Sequence, residues 1–177
     1  MKDAAAYRAT LLGHAYAGID RLPVAVLLDN VRSLYNAGAF FRTADAVRAE
    51  SIVLAGITPT PGDPRIAKTA LGAERTVSWS RAADASAAVD GLRSRGFEMA
   101  AIETSLRAVD LFDWRPRFPV CVVFGHEVDG IAPALLERCD VHVRIPTLGT
   151  KGSINVATAG GVVLYELLRK YRDLVRG

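Results

Sequence analysis

The chain has 177 residues, of which 50% are hydrophobic and 23% are charged, so it can bury one sizeable core. This composition excludes a disordered or collagen-like protein, and the formal net charge of +3 is lower than DNA-wrapping proteins usually carry. With two cysteines and three scattered histidines, we predict neither a disulfide framework nor a metal site.

The first segment predicts a helix over residues 4–17. Asp3, Arg8 and His14 interrupt the unbroken apolar stretch that a signal peptide needs. No apolar run in the sequence approaches the ~18 residues that a membrane span requires. We therefore expect a cytoplasmic protein that does not associate with a membrane.

Short apolar runs then alternate with helical patterns. The near-continuous hydrophobicity of runs such as VAVLL and VCVVF is typical of strands buried on both faces of a parallel sheet. Gly18 and Gly96 are predicted to end helices, Asn36 to cap one and Pro133 to stand in a first helical turn. Strands are predicted over residues 24–28, 51–55, 76–79, 97–102, 120–124 and 141–145, and helices over residues 36–48, 82–95, 133–138 and 155–171. This alternation favours an α/β fold with an open, mostly parallel sheet flanked by helices.

Residues 56–65 form the longest irregular segment, and its three prolines and two glycines predict either a functional loop or a plain surface loop. The motifs of common α/β enzymes do not occur. The first strand runs into Asp29-Asn30-Val31-Arg32-Ser33 rather than GxGxxG, which disfavours a dehydrogenase. The patterns GxxxxGK[ST], GxSxG, HExxH and CxxC do not occur either. Any chemistry then belongs at the carboxyl ends of the strands, where open α/β sheets bind ligands.

Three polar clusters follow predicted strands. The first contains Asn36 and Arg42, the second places Glu127 between glycines, and the third contains Ser153 and Asn155 before a long helix. Each cluster also has a structural interpretation: the Asn and Ser residues cap helices, the Arg is a solvated charge, and the glycines form an ordinary turn.

Taken together, the clusters resemble the three motifs of the SpoU (TrmH-like) RNA ribose 2′-O-methyltransferases of the SPOUT superfamily. The matching stretches are Asn36-x-Gly38-x-x-x-Arg42-Thr43-Ala44, Phe124-Gly125-x-Glu127-x-x-Gly130 and Ile145-Pro146-x-x-Gly149-x-x-x-Ser153-Ile154-Asn155-Val156-Ala157. The family usually has Leu where this chain has Ile154, a change that keeps the backbone contacts.

The resemblance implies a single SPOUT domain over residues 1–177, with residues 1–22 as an N-terminal helical extension and a C-terminal trefoil knot that holds S-adenosylmethionine. It assigns cofactor binding to Ile102, Glu103, Gly125, Ile145, Leu148, Ser153 and Ile154. The residues that it ties to catalysis are Asn36, Arg42, Glu127, Ser153 and Asn155. Because a guanidinium is a poor base, we expect Arg42 to stabilise the developing alkoxide and to clamp the adjacent phosphate.

The resemblance also implies an RNA substrate and a homodimer. The candidates for RNA contacts are Arg32, Arg65, Lys68 and Lys151, although each of these is also consistent with a solvated surface charge. The short segment before the first strand favours tRNA over rRNA. We expect the dimer to use the helix near Asn36 and the last helix, which carries the small-residue run 157–161 and an apolar stripe, Val162, Val163, Leu164, Leu167 and Leu168. The alternative is a non-catalytic RNA-binding module that keeps the fold.

Overall fold

A computed structural model of the chain describes residues 16 and 18–177 and confirms the alternation of strands and helices. The helix predicted over residues 4–17 lies outside the described residues. In chain order the elements are β1 (Leu22–Asp29), α1 (Leu34–Val47), β2 (Ala49–Ala55), α2 (Pro64–Ala70), a 3-10 turn (Ala73–Arg75), β3 (Trp79–Ala82), α3 (Ala85–Ser94), β4 (Glu98–Ile102), β5 (Val109–Asp110), β6 (Val120–Phe124), α4 (Pro133–Leu136), β7 (Val141–Arg144) and α5 (Val156–Arg176).

The seven strands form one sheet in the order β3-β2-β1-β6-β4-β7-β5, and every neighbouring pair is parallel. This confirms the predicted α/β class. The carboxyl ends of all strands meet at one edge, so the segments that follow β1, β4, β6 and β7 lie side by side there.

The central strands are buried on both faces because a layer of helices covers each side of the sheet. Val24, Val26 and Leu28 of β1 contribute to the core that α1, α2 and α5 cover. Ala25 and Leu27, which alternate with them, contribute to the core beneath α3 and α4. Alternate side chains of a strand point to opposite faces, so a strand covered on both sides reads as a continuous apolar run.

Glycines allow α1 to lie close to its neighbouring helices. A Cβ added to Gly160 of α5 would lie 2.2 Å from Cε1 of Phe40 in α1, and one added to Gly38 would lie 2.0 Å from Oγ1 of Thr69 in α2. Phe40 in turn contacts Phe124 at the end of β6, with the ring centroids 4.9 Å apart. This packing holds the start of α1 beside the start of α5.

Several predicted boundaries are wrong. The cap of α1 is Ser33, whose hydroxyl accepts the N–H of Asn36 at 3.3 Å, so Asn36 lies inside the first turn and is not the cap. The irregular segment, predicted to extend to residue 65, ends at Asp63, which caps α2, and the helix begins at Pro64. The strand predicted over residues 76–79 begins only at Trp79, because the buried Val77 belongs to the segment that leads into this exposed edge strand.

Other predictions are confirmed. The predicted strand over residues 120–124 coincides with β6, Asn155 caps α5, and Pro133 is in the first turn of α4. Gly96 follows α3 with a φ of 84°, a backbone conformation that glycine adopts without strain. None of the helices described within residues 18–177 is long and apolar enough to cross a membrane.

Candidate active site

Glu127 connects the segment after β6 to the segment after β1. Its Oε2 accepts the backbone N–H of Arg32 at 3.0 Å. Its Oε1 accepts the backbone N–H of Ser33 at 3.0 Å and the side-chain N–H of Asn36 at 3.0 Å. Because β1 and β6 are neighbouring parallel strands, both segments leave the sheet at the same edge. One carboxylate therefore binds three donors at the start of α1.

Asn155 joins the same cluster from the start of α5. Its Nδ2 donates to Oδ1 of Asn36 at 3.2 Å. Its Oδ1 caps the helix by accepting the backbone N–H groups of Ala157 at 2.9 Å and Thr158 at 3.2 Å. The structure thus brings together Glu127, Asn36 and Asn155, one residue from each of the three polar clusters.

The donors around Glu127 favour its ionised form. Partial burial by itself raises the pKa of this carboxyl, but the hydrogen bonds from the backbone of Ser33 and Arg32 and from the side chain of Asn36 outweigh that cost, so the pKa lies below its ordinary value. At neutral pH the site therefore holds a carboxylate that accepts three hydrogen bonds from fixed donors.

The glycines that flank Glu127 form a tight antiparallel turn. The N–H of His126 donates to the carbonyl of Gly130 at 3.0 Å, and the N–H of Gly130 donates to the carbonyl of His126 at 2.9 Å. A Cβ on Gly125 would lie 2.3 Å from the Gly130 oxygen, so only glycine fits there. Glu103, the residue that follows β4, supports the turn, since its Oε2 accepts the N–H of Ile131 at 3.1 Å.

A cleft of about 740 Å³ opens beside this cluster, between the segments that follow β4, β6 and β7. Six of the seven residues predicted to bind a cofactor line it, namely Ile102, Glu103, Gly125, Ile145, Ser153 and Ile154. Leu148 is the exception, because it is fully exposed and is not among the lining residues. The volume is that of an ordinary small-molecule site.

The charge of the cleft favours a cationic ligand. Among the described residues that line it, three carry carboxylates, Glu103, Glu127 and Asp129, whereas Arg144 supplies the only guanidinium. Sequence reasoning did not single out Arg144, although its position at the end of β7, directly before Ile145, is a usable signal. Ser105, Thr147 and Val156 also line the cleft without having been predicted.

The structure does not bring Arg42 into the cluster. Arg42 is exposed on α1, does not line the cleft, and makes no side-chain hydrogen bond or ion pair with any residue of the described part of the chain. The RNA-contact candidates are likewise exposed: Arg32, Arg65, Lys68 and Lys151. Of these, Arg65 is engaged by Asp63, with two nitrogen–oxygen distances of 3.0 and 2.7 Å.

Comparison with known proteins identifies the family whose sequence model this chain matches. The model of the SpoU rRNA Methylase family matches residues 23–165. A Staphylococcus epidermidis protein named for the TrmH family of tRNA/rRNA methyltransferases is 29% identical over 154 residues, which are 87% of this chain and 61% of that protein. The chain therefore spans about three fifths of the length of the curated relatives it matches.

Solved structures share the fold. The AdoMet-bound rRNA methyltransferase from Sinorhizobium meliloti is 30% identical with a TM-score of 0.78, and the match covers 82% of this chain and 56% of that one. A structure concerned with the 2-OH methylation of C/U34 on tRNA is 26% identical with a TM-score of 0.76, and that match covers 85% of this chain and 97% of the other.

Proposed function

This chain belongs to the SpoU rRNA Methylase family, and we propose that it transfers a methyl group from S-adenosylmethionine to the ribose 2′-hydroxyl of an RNA nucleotide. The observation that carries the proposal is the hydrogen-bonded set Glu127–Asn36–Asn155 beside an acidic cleft. It joins one residue from each of the three motifs whose order along the chain is typical of the family.

The cleft fits the proposed cofactor in size and charge. The excess of carboxylates over guanidinium groups suits a ligand that carries a sulfonium cation. Ile102, Gly125, Ile145 and Ile154 would hold it through apolar side chains and backbone groups. When bound, the cofactor supplies an electrophilic methyl group that the ribose 2′-oxygen takes up as its proton leaves to water.

Positioning is the main task of the three joined residues. Both oxygens of Glu127 accept hydrogen bonds, from the backbone N–H groups of Arg32 and Ser33 just before α1 and from the side chain of Asn36. We therefore assign this carboxylate to holding the start of the helix and Asn36, and not to removing a proton. Asn155 then presents an oriented amide to the cleft, and Asn36, which accepts a hydrogen bond from it, holds that orientation. When the ribose 2′-oxygen is already held in the reactive position, less entropy is lost on reaching the transition state, which lowers the activation free energy.

Arg42 is assigned to the substrate side of the reaction. A guanidinium stays protonated, so it stabilises negative charge that develops on the 2′-oxygen and binds the adjacent phosphate in a bidentate manner. Its exposure, and the lack of a partner for its side chain in the described part of the chain, leave it available for RNA. Ser153 lines the cleft beside Asn155, and we assign it to the cofactor.

We further propose that tRNA is the substrate in preference to rRNA. The support is the match to the structure concerned with the 2-OH methylation of C/U34 on tRNA, which extends over 85% of this chain with a TM-score of 0.76. Arg32, Lys68 and Lys151 are exposed and would contribute charge towards the phosphates, and Arg65 would do so after release from Asp63.

The homodimer and the trefoil knot are also proposals. Val162 and Tyr165, three positions apart on α5, leave an apolar strip exposed on this helix, which supports an interface there. Val163, Leu164 and Leu167 instead belong to the core, and Gly160 serves the contact with Phe40, so the interface would be narrower than the apolar stripe predicts. The match to the SpoU rRNA Methylase family over residues 23–165 supports the knot.

The test is single-turnover transfer of labelled methyl groups to bulk tRNA from cells that lack the protein. We expect label on 2′-O-methylribose after complete nuclease digestion, and binding of S-adenosylhomocysteine at micromolar affinity by calorimetry, on the order of −8 kcal/mol. Label on a base atom would overturn the reaction assignment. Binding of tRNA without any transfer would favour the non-catalytic module.

A further inference from the structure

Ser105 and His142 form a hydrogen-bonded pair at the wall of the cleft. Oγ of Ser105 lies 2.8 Å from Nδ1 of His142, and Nε2 of the same ring lies 3.1 Å from the carbonyl oxygen of Leu136. His142 is buried in β7 with 6% of its surface exposed, whereas Ser105 follows β4 and lines the cleft. Neither side chain has another hydrogen bond within residues 18–177.

The carbonyl of Leu136 determines the direction of both bonds. A carbonyl oxygen only accepts, so Nε2 of His142 carries the proton and donates it. In a neutral imidazole the other nitrogen then has no proton and accepts. With this neutral tautomer, the hydroxyl of Ser105 donates to Nδ1.

In this arrangement the hydroxyl of Ser105 can accept a hydrogen bond from a ligand but cannot donate one. A serine hydroxyl has a single proton and two lone pairs, and here the proton is committed to His142. Towards the cleft the oxygen presents lone pairs alone. It therefore favours a ligand group that donates, such as an amine, over one that accepts, such as a carbonyl.

The sheet order indicates which part of the cofactor reaches Ser105. Asn36 follows β1 and Ser105 follows β4. In the sheet only β6 lies between these two strands, so β4 is two positions away from β1. Neighbouring strands are about 4.8 Å apart, which separates the two strand ends by roughly 10 Å. A methyl donor whose reactive end lies beside Asn36 therefore extends its base towards Ser105.

We propose that Ser105, oriented by His142, accepts a hydrogen bond from the 6-amino group of the cofactor's adenine and so selects a 6-amino purine over a 6-oxo purine. The inference rests on the proposed function, since it assumes an adenosyl cofactor in this cleft. Ser105 is the contact residue, and His142 is the positioning residue that sets the polarity of the serine hydroxyl.

The experiment is calorimetric titration of the full chain with S-adenosylhomocysteine and with S-inosylhomocysteine, whose purine carries an oxygen at position 6. We expect the unaltered protein to prefer the adenosyl ligand by at least ~10-fold, because the inosyl oxygen would face a serine lone pair. Ser105→Ala should lower this ratio of affinities several-fold, while Ser86→Ala, an exposed serine outside the cleft, should leave it unchanged.

Two variants of His142 separate polarity from packing. His142→Leu frees the hydroxyl proton of Ser105, so the ratio should fall although the serine remains. His142→Gln keeps an acceptor for Ser105 and a donor for Leu136, so it should retain the ratio and serves as the rescue if the leucine variant does not fold. An unchanged ratio in Ser105→Ala overturns this inference alone. An unaltered protein that does not bind S-adenosylhomocysteine overturns the proposed function, and this inference with it.

Discussion

The side-chain nitrogen of Asn155 donates to Oδ1 of Asn36 at 3.2 Å, although the two residues are 119 positions apart in the chain. Oδ1 of Asn155 is occupied by the N–H groups of Ala157 and Thr158, which orients its nitrogen towards Asn36. Asn36 in turn donates to Glu127, so one chain of side-chain bonds joins the starts of α1 and α5 to the turn after β6.

Two variants of Asn155 separate its cap from its bond to Asn36. Asn155→Ala removes both, and we expect it to weaken cofactor binding and turnover and to cost about 1 kcal/mol of unfolding free energy. Asn155→Asp keeps a capping oxygen but turns the second group into an acceptor facing Oδ1 of Asn36. It should unfold close to the unaltered protein in urea yet transfer methyl groups more slowly. Normal single-turnover rates in Asn155→Asp would contradict a role for the bond to Asn36.

Arg42 is expected to act on the reaction and not on cofactor binding. Because it does not line the cleft, Arg42→Ala should leave the affinity for S-adenosylhomocysteine nearly unchanged. Loss of its charge next to the developing alkoxide should lower single-turnover transfer by at least ~100-fold, about 2.7 kcal/mol. Arg42→Lys should stay badly impaired if the guanidinium clamps a phosphate in a bidentate manner, and should recover much of the rate if only a point charge is needed. Arg81→Ala, on the exposed edge strand β3, is the matched control, and a full rate in Arg42→Ala would remove Arg42 from the mechanism.

Glu127 predicts a pH-dependent contribution to stability. The pKa of this carboxyl is lower in the folded chain than in the unfolded chain, where it is about 4.3. Near and below the unfolded pKa, the folded state therefore binds fewer protons than the unfolded state does, and stability falls with the pH. The contribution is complete above the unfolded pKa and is lost as the pH falls through the folded pKa. Glu127→Gln places an amide N–H against backbone donors and should cost about 1 kcal/mol at pH 7, since the side chain is exposed. Urea unfolding should show this deficit shrinking below about pH 4, and a deficit that is equal at both pH values would contradict the assignment.

The two adjacent glycines of α5 should respond in opposite ways to alanine. Gly160→Ala introduces a methyl group 2.2 Å from the ring of Phe40, so it must push α1 away and should destabilise the chain by about 1–3 kcal/mol. Gly161→Ala meets nothing within 4 Å and should stabilise the helix by up to about 1 kcal/mol. Thermal unfolding of both variants at one protein concentration measures the difference. Equal melting temperatures would show that the approach of α1 to α5 does not require glycine.

The proposed dimer depends on the exposed apolar strip of α5. Sedimentation at micromolar protein should give a dimer mass for the unaltered chain. Tyr165→Glu places a charge in the strip and should shift the mass towards the monomer without unfolding the chain, since the side chain is 55% exposed. Ala87→Glu, on the exposed side of α3 across the sheet, is the control. A monomer mass for the unaltered protein would contradict the proposal.

Local patterns in the sequence were sufficient for the sheet class and for the three polar clusters. Both ends of the strand over residues 120–124 are predicted correctly. Its five successive residues are all buried because both faces of the strand are covered, and such a strand appears in the sequence as a continuous apolar run. The same patterns misplace β3 and miss β5, because an exposed edge strand and a two-residue strand bury too little to leave a periodic signal.

The partners of the site residues depend on tertiary structure. The sequence by itself places Asn36, Glu127 and Asn155 at strand ends, but their contact requires that β6, which comes late in the chain, pairs directly with β1. The pair Ser105–His142 likewise requires β7 to lie beside β4. A hydrogen bond needs two groups within about 3 Å, and local propensity carries no information on which strands become neighbours. Sequence therefore determined the kinds of groups at the edge of the sheet, and strand order decided which of them meet.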